Sequence, residues 1–374
     1  MTTILPGQTI GIIGGGQLGR MMGLAAKEAG FRIAVLDPIE DSPCGQIADI
    51  RIVADYDDEH ALQELAQVSD VITYEFENID YEGLKKLAET AHVPQGAELV
   101  RITQNRMNEK AEINTSGAPV ANYVTAHTFE ELEANIGQVG FPCIVKTAFG
   151  GYDGKGQVKV DTLEQLEEAR TFFEHSTCIA EAFVPFVKEI SVIIQRNAEG
   201  QSYCLPVAEN IHKDHILHES IVPARIDEAI IKKAEEAAGK IANHLELVGT
   251  LAVEMFVLED GNIVINELAP RPHNSGHYSI EACNVSQFHQ HIRAICGWPL
   301  RKPRLWASSI MVNVLGEHVE PLQEMLVHYP EWSVHMYGKA EAKEKRKMGH
   351  VTIMTDDIDT TLEEIKTSNV WFNK

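Results

Sequence analysis

Cysteine is scarce and scattered in this chain. The six cysteines, at 44, 143, 178, 204, 283 and 296, form no C-x-x-C pair, and several sit in apolar runs. That distribution suits reduced, structural thiols and supports neither a disulfide framework nor a zinc site. Long hydrophobic runs are missing too: nothing approaches the ~18 apolar residues of a membrane span, and no basic stretch leads into a secretory hydrophobic core. A cytoplasmic protein with no membrane partner is expected. Positive charge is in deficit, with 32 Lys and Arg against 55 Asp and Glu, a net charge of −23. Such a field opposes nucleic acid and anionic lipid, so no nucleic-acid partner is expected, and an anionic substrate needs a local basic pocket. There are no internal repeats or low-complexity segments, and no Walker A loop: position 149 is Phe, and Lys155 is followed by Gly156. What remains is 374 residues, 44% hydrophobic and 23% charged, the profile of a soluble globular protein of two or three domains.

The chemistry centres on KTAFGGYDGKGQ, residues 146–157. Gly150, Gly151, Gly154 and Gly156 fall within seven residues, between Lys146 and Lys155 and beside Tyr152 and Asp153. Glycines let successive N–H groups turn toward one point, and an anion with several oxygens suits that arrangement. Lys146 ends the apolar run 141–145, so a rigid strand end would aim its ammonium into the site. A glycine-rich hairpin tip with solvated lysines is the competing reading. A second constellation weighs against it. The runs 251–258 and 262–268 flank Asp260-Gly261, a hairpin signal. With those two as turn residues, Glu259 faces Asn262 and Glu254 falls directly opposite Glu267. Opposed like charges destabilise a sheet unless a cation lies between them. Two carboxylates plus phosphate oxygens describe Mg²⁺, or Mn²⁺ in its place, held against a nucleotide. Next comes APRPHNSGH, residues 269–277, where two prolines fix the backbone and Arg271 is suited to clamp a phosphate or carboxylate.

Along the chain, residues 4–103 read as βαβα. Gly14, Gly16 and Gly19 match G-x-G-x-x-G between a short strand and a helix, and Asp37 ends the next strand, the spacing of a dinucleotide fingerprint with its ribose acid. The glycines and helix N-terminus hold any phosphate, not only a pyrophosphate. The strand at 71–77 ends in acids, which makes Glu75 a site candidate or a solvated strand end. A helix from residue 104 carries Arg106 and Lys110. His212, His215 and His218 lie in an extended loop where they diverge, which opposes zinc. Helices are expected at 227–247 and 279–296, with His289 and His291 as surface or core residues. Residues 298–303 read as a linker, followed by strands at 309–315, 333–337 and 349–355 and a helix at 357–368. The loop 338–349 holds five bases, among them Lys339, Lys345 and Arg346.

GGGQLGRM (14–21), TYEFENI (73–79), KTAFGGYDGKGQ, INELAPRPHNSGH (265–277) and RKMGH (346–350) together resemble the ATP-grasp superfamily. Within it they resemble the bacterial and fungal N5-carboxyaminoimidazole ribonucleotide synthetases of purine biosynthesis. The likeness implies an α/β and α+β fold: a Rossmann-like pre-ATP-grasp domain at 1–103, an ATP-grasp domain at 104–297 with a lid at about 120–184, and a small C-terminal mostly β domain at 298–374. It implies ATP- and bicarbonate-dependent carboxylation of 5-aminoimidazole ribonucleotide through carboxyphosphate, in a homodimer. By that likeness Arg106, Lys146, Gly151–Gln157, Glu181, Ala182, Phe183, Val184, Glu189, His212, Asn266 and Glu267 contact ATP. Glu254 and Glu267 hold Mg²⁺, and Arg271 and Asn274, with Lys146 and Asp153, serve the chemical steps. Gln17, Leu18, Glu75, Tyr152, Asp153, Asn274, Lys339, Lys345 and Arg346 address the ribonucleotide. The rival readings are another ATP-grasp ligase, such as a formate-dependent glycinamide ribonucleotide transformylase, and an NAD-binding dehydrogenase that uses residues 11–37 alone.

Overall fold

The computed structural model describes residues 3–150 and 156–371. Gly151, Tyr152, Asp153, Gly154 and Lys155, expected at the site, lie outside the described residues. Among the described residues no helix is long and apolar enough to cross a membrane.

The N-terminal strands are short, and two of them, Thr9–Ile13 and Val71–Tyr74, are largely apolar and buried throughout, as parallel strands covered on both faces must be. The four are β1 (Thr9–Ile13), β2 (Arg32–Leu36), β3 (Ile50–Ile52) and β4 (Val71–Tyr74), in the order β3-β2-β1-β4. All pair in parallel, so their carboxyl ends, with Gly14, Asp37 and Glu75, lie on one edge. The helix Gln17–Glu28 covers one face, burying Leu18, Met21 and Met22.

A second sheet runs antiparallel in the order β5-β8-β6-β7. Its strands are β5 (Tyr123–Ala126), β6 (Cys143–Thr147), β7 (Gln157–Val160) and β8 (Cys178–Ala182). The glycine-rich loop joins β6 to β7, and Lys146 faces Gln157 across that pair.

The largest sheet has nine strands. It takes β9 (Phe186–Arg196), β10 (Ser202–Cys204), β11 (Ala208–Lys213), β12 (Ile216–Val222), β13 (Gly249–Leu258) and β14 (Ile263–Ala269) from the middle of the chain. It also takes β15 (Ser308–Leu315), β16 (Trp332–Met336) and β17 (Lys347–Thr355) from the end. The order is β14-β13-β9-β11-β12-β15-β17-β16, with β10 paired to β9. The C-terminal segment therefore does not close on itself: β15 continues the sheet by pairing Ser309–Val312 with Glu219–Val222.

Three expectations need correction. His212, His215 and His218 do not lie in a loop; they span the β11–β12 hairpin, whose turn residues Asp214 and His215 have φ of 48° and 65°. The helix expected over 279–296 is broken into Ser279–Ala282 and Gln287–Ile295. Cys283 bridges to Leu305, and the Ser286 hydroxyl accepts from the His289 N–H to start the second piece. The residues read as a linker are tied down: the Trp298 indole N–H donates to the Ile4 carbonyl at 2.7 Å, and its ring packs on Phe31. A helix at Val319–Met325, between β15 and β16, was not anticipated.

The Asp260-Gly261 hairpin pairs Glu254 with Glu267, but by another route than two turn residues. The loop has three, since the Leu258 N–H donates to the Asn262 carbonyl at 2.8 Å. A bulge at Asn266 then shifts the register back, so Met255 faces Ile265 while Glu254 faces Glu267.

Candidate active site

A cavity of about 580 Å³ opens between the four-stranded antiparallel sheet, the β13–β14 hairpin and the exit from β4. Its walls include Arg106, Lys146, Gln157, Glu181–Val184, Glu189, His212, Glu254, Asn266, Glu267, Arg271 and Asn274, each expected from the sequence.

Lys146 reaches it from the end of β6, as its position after an apolar run requires. Its ammonium lies 3.2 Å from Glu181, whose other oxygen is 3.1 Å from Lys110. Burial lowers the Lys146 pKa, and the Glu181 charge recovers only part of that. For Glu181 burial acts upward, but the two lysines outweigh it and hold the carboxyl below its usual range. The Lys110 ammonium also donates to the Ile265 and Asn266 carbonyls, at 3.2 and 2.8 Å. The Glu109 carboxylate accepts from the Leu268 N–H at 2.6 Å. The Arg106–Thr115 helix is thus pinned to β14, and Arg106 sits 3.4 Å from Glu267. An apolar wall faces these charges: Ile144, Phe183, Leu268 and the stacked pair Phe186–Phe256, with ring centroids 4.5 Å apart. A slot with cations at one end and flat apolar surfaces at the other suits a nucleotide.

The acid pair dominates the floor. Burial, then the Glu267 charge, pushes the Glu254 carboxyl up to about 7. A buried carboxyl so destabilised when ionised has the chemistry of a cation ligand. Among the described residues no cluster of three or more His, Cys, Asp or Glu could hold a metal by itself. The neutral His273 ring contacts Glu254 at 3.2 Å; burial, then Arg271, holds its pKa well below the usual value. Its Nδ1 accepts from the Ser275 N–H at 3.4 Å, which leaves the Nε2–H to donate to Glu254. Across β9 and β11, His212 lies 3.0 Å from Glu189, and that pairing outweighs burial to raise its pKa.

At the far end stand Arg271, Asn274 and Lys347. Arg271 is clamped by Glu77 through Nε and Nη2, at 2.6 and 3.2 Å. Asn274 and Asn313 bond side chain to side chain, which joins the proline-rich loop to β15. His273, Lys347 and Glu77 line the cavity without having been singled out from sequence. Lys347 belonged to a lysine-rich run in which no periodicity distinguishes one base from the next. His273 could have been found from the prolines that fix its backbone.

The other expected residues form a second group beyond the cavity walls. Glu75 is buried and accepts from the Gly16 and Gly19 N–H groups, the latter at 2.6 Å. Asp37 accepts from the Gly15 N–H at 2.6 Å and the Tyr56 hydroxyl at 2.7 Å. The helix N-terminus expected to meet a phosphate is thus engaged by the protein's own carboxylates. A Cβ at Gly16 would come within 2.5 Å of the Glu75 carboxylate, so a side chain there would push that carboxylate aside. Asp37, the acid that the dehydrogenase reading assigns to a ribose, is thus engaged by its own loop. Gln17 is half-buried, and Leu18 packs into a core with Tyr337. Lys339 lies over the Tyr337 ring and donates to the Lys347 carbonyl at 2.7 Å. Burial, then the Arg346 charge, brings Lys339 down to about 8, while Glu75 acts the other way. The Gln46 amide donates to the Gly338 carbonyl at 2.8 Å, so the two ends of the chain meet here. Lys345 is exposed, its N–H donating to Glu317, and Arg346 donates to the Glu341 carbonyl. Gly156, with φ of 70°, accepts from the Thr147 N–H.

Known proteins match this arrangement along its whole length. Residues 7–104 match the ribonucleotide synthetase preATP-grasp domain, 111–288 the ATP-grasp domain, and 309–364 the phosphoribosylaminoimidazole carboxylase C-terminal domain. The N5-carboxyaminoimidazole ribonucleotide synthase of Bacillus subtilis is 50% identical over 371 residues, 99% of this chain and 97% of its own. A crystal structure of an ADP complex of N5-carboxyaminoimidazole ribonucleotide synthetase superimposes with a TM-score of 0.96 at 55% identity, covering 99% of this chain and 98% of that one. The Aspergillus clavatus enzyme, in complex with ADP and 5-aminoimidazole ribonucleotide, gives 0.91 at 31% identity, with 98% of each chain covered. With such identity across all three segments, the chain belongs to the N5-carboxyaminoimidazole ribonucleotide synthase family of ATP-grasp enzymes.

Proposed function

We propose that this chain uses ATP and bicarbonate to carboxylate the exocyclic amine of 5-aminoimidazole ribonucleotide, releasing ADP and phosphate. The observation that carries the reading is the joining, in one cavity, of an acid pair, a cationic phosphate end and the Arg271–His273–Lys347 group. Lys146 and Arg106 address the phosphates, and the Phe186–Phe256 side receives the base. Glu181–Val184, Glu189, His212 and Asn266 complete the nucleotide contacts. Glu254 and Glu267 would hold Mg²⁺, which would neutralise phosphate charge when bound.

A bicarbonate oxygen attacks the γ-phosphorus as the bond to ADP breaks, giving carboxyphosphate. Arg271, Asn274, His273 and Lys347 orient that anion by hydrogen bonds and charge. Carboxyphosphate separates into CO₂ and phosphate. The substrate nitrogen then bonds to the CO₂ carbon and releases a proton, which the family likeness assigns Asp153 to orient or accept. The ribonucleotide lies between Gln17, Leu18 and Glu75 on one side and Lys339, Lys345 and Arg346 on the other, with Tyr152 assigned to it by the family likeness alone. A homodimer in the cytoplasm completes the reading. ADP release with bicarbonate plus 5-aminoimidazole ribonucleotide, set against formate plus glycinamide ribonucleotide, tests it. Turnover is expected with the first pair only; turnover with the second pair alone overturns the assignment.

A further inference from the structure

Glu77 leaves the N-terminal sheet just after β4, and Arg271 leaves the nine-stranded sheet just after β14. They come from different parts of the chain and meet on the cavity wall. One carboxylate oxygen of Glu77 takes the Nε–H of Arg271 at 2.6 Å, and the other takes an Nη2–H at 3.2 Å. This is the two-pronged geometry in which a carboxylate fixes a guanidinium in both direction and plane. The side edge of Arg271 is therefore committed within the protein. The outward fork, Nη1 together with the second N–H of Nη2, remains for a ligand, and Nη1 there donates to the Pro272 carbonyl at 3.4 Å.

Both partners are themselves held. The Gln104 amide donates to the Glu77 and Ile79 carbonyls, each at 2.6 Å, which fixes the turn that carries Glu77. On the Arg271 side, the Gln95 amide donates to the Pro270 carbonyl at 3.3 Å. Gln95 also accepts from the Thr73 hydroxyl, and Thr73 contacts His291 at 2.8 Å. Two separate contacts from the N-terminal sheet thus bracket the start of the proline-rich loop. A charge pair serving stability alone would not need a buried amide network at both ends.

Building on the function proposed above, we propose that Glu77 is a positioning residue for Arg271. It selects the outward Nη1/Nη2 fork as the edge presented to the small oxyanion, bicarbonate and then carboxyphosphate. It also ties that edge to the sheet that carries the ribonucleotide site. The expected consequence is coupling: carboxyphosphate forms where the amine can capture its CO₂.

The test measures bicarbonate KM, ATP KM, and carboxylated product formed per ADP released, for wild type, Glu77→Gln, Glu77→Asp, Arg271→Gln and the Glu77→Gln/Arg271→Gln double variant. Glu77→Gln should raise bicarbonate KM tenfold or more, leave ATP KM within about twofold, and lower product per ADP. Glu77→Asp keeps the charge but is too short to reach both nitrogens, and should fall between. The double variant should be no worse than Arg271→Gln alone, because Glu77 acts only through that residue. Wild-type bicarbonate KM and coupling in Glu77→Asp, together with either the same in Glu77→Gln or a Glu77→Gln that does not fold, overturn the proposal. So do additive losses in the double variant. A wild type that does not turn over these substrates would instead overturn the functional reading itself.

Discussion

Glu254→Gln should make the metal-free protein more stable, and the gain should vanish in acid. In the folded chain the carboxyl is raised from about 4.5 to about 7, by burial and then by Glu267 across the hairpin. At about 1.4 kcal/mol per pH unit, ionised Glu254 is about 3 kcal/mol worse off folded than unfolded. The sign follows from which state binds the proton. Above pH 7 both states are ionised and the penalty is complete; between pH 7 and 4.5 the folded state takes up the proton first and the penalty fades. Gln carries no such charge, and its side-chain carbonyl can still accept from His273. For 374 residues the entropy of unfolding is about 0.8 kcal/mol/K, so the variant should melt about 4 °C above wild type at pH 8. At pH 5 the gap should shrink to about 1 °C by the same relation. Mg²⁺-ATP should reverse the order, stabilising wild type more, and the variant should lose ATP turnover. Calorimetric scans of both proteins from pH 5 to 8, with and without Mg²⁺-ATP, make the measurement. A melting gap that ignores pH, or a less stable variant at pH 8 without metal, refutes the argument.

Lys146→Met should lose ATP affinity and rate together, since a buried ammonium held by Glu181 meets phosphate in both ground and transition states; an unchanged ATP KM in steady-state assays would contradict this. Asp153→Asn should leave ATP binding intact and impair use of the aminoimidazole substrate; full carboxylation would remove Asp153 from that role. Arg346→Ala should raise ribonucleotide KM roughly tenfold or more, the loss of one charged hydrogen bond, while ATP KM stays put. Lys347→Ala should instead lower kcat, because Lys347 lines the cavity with Glu254 and Asn274; matching kinetic profiles for the two variants would show that adjacent bases do not divide the work.

The parts of the site legible in sequence were those set by local geometry. Lys146 at a strand end, with Gly150 and Gly156 at positive φ, follows from chain direction and backbone freedom alone. The opposition of Glu254 and Glu267 was also legible, yet it rests on a three-residue loop and a bulge whose effects cancel, neither of which the Asp-Gly signal reveals. Long-range partnership was not legible. Asp37 and Glu75 carry the spacing of ligand-binding acids, but they bond the N–H groups of their own loop, a choice made only when β1, β2 and β4 align. Glu77 and Arg271 are 194 positions apart, and no periodicity links them. The break after Ala282 depends on Leu305, which reaches Cys283 only in the folded chain.

The unbroken run of strands from β14 to β16 sets a limit on how this protein can be cut. A fragment ending near residue 300 would expose the whole β12 edge, where Glu219–Val222 now pair with Ser309–Val312. An unpaired edge of buried strand residues recruits other chains. Expression of the nucleotide-binding part alone should therefore yield aggregates, and a crystallisation or fusion design should treat the last strands as part of the middle of the molecule, not as its tail.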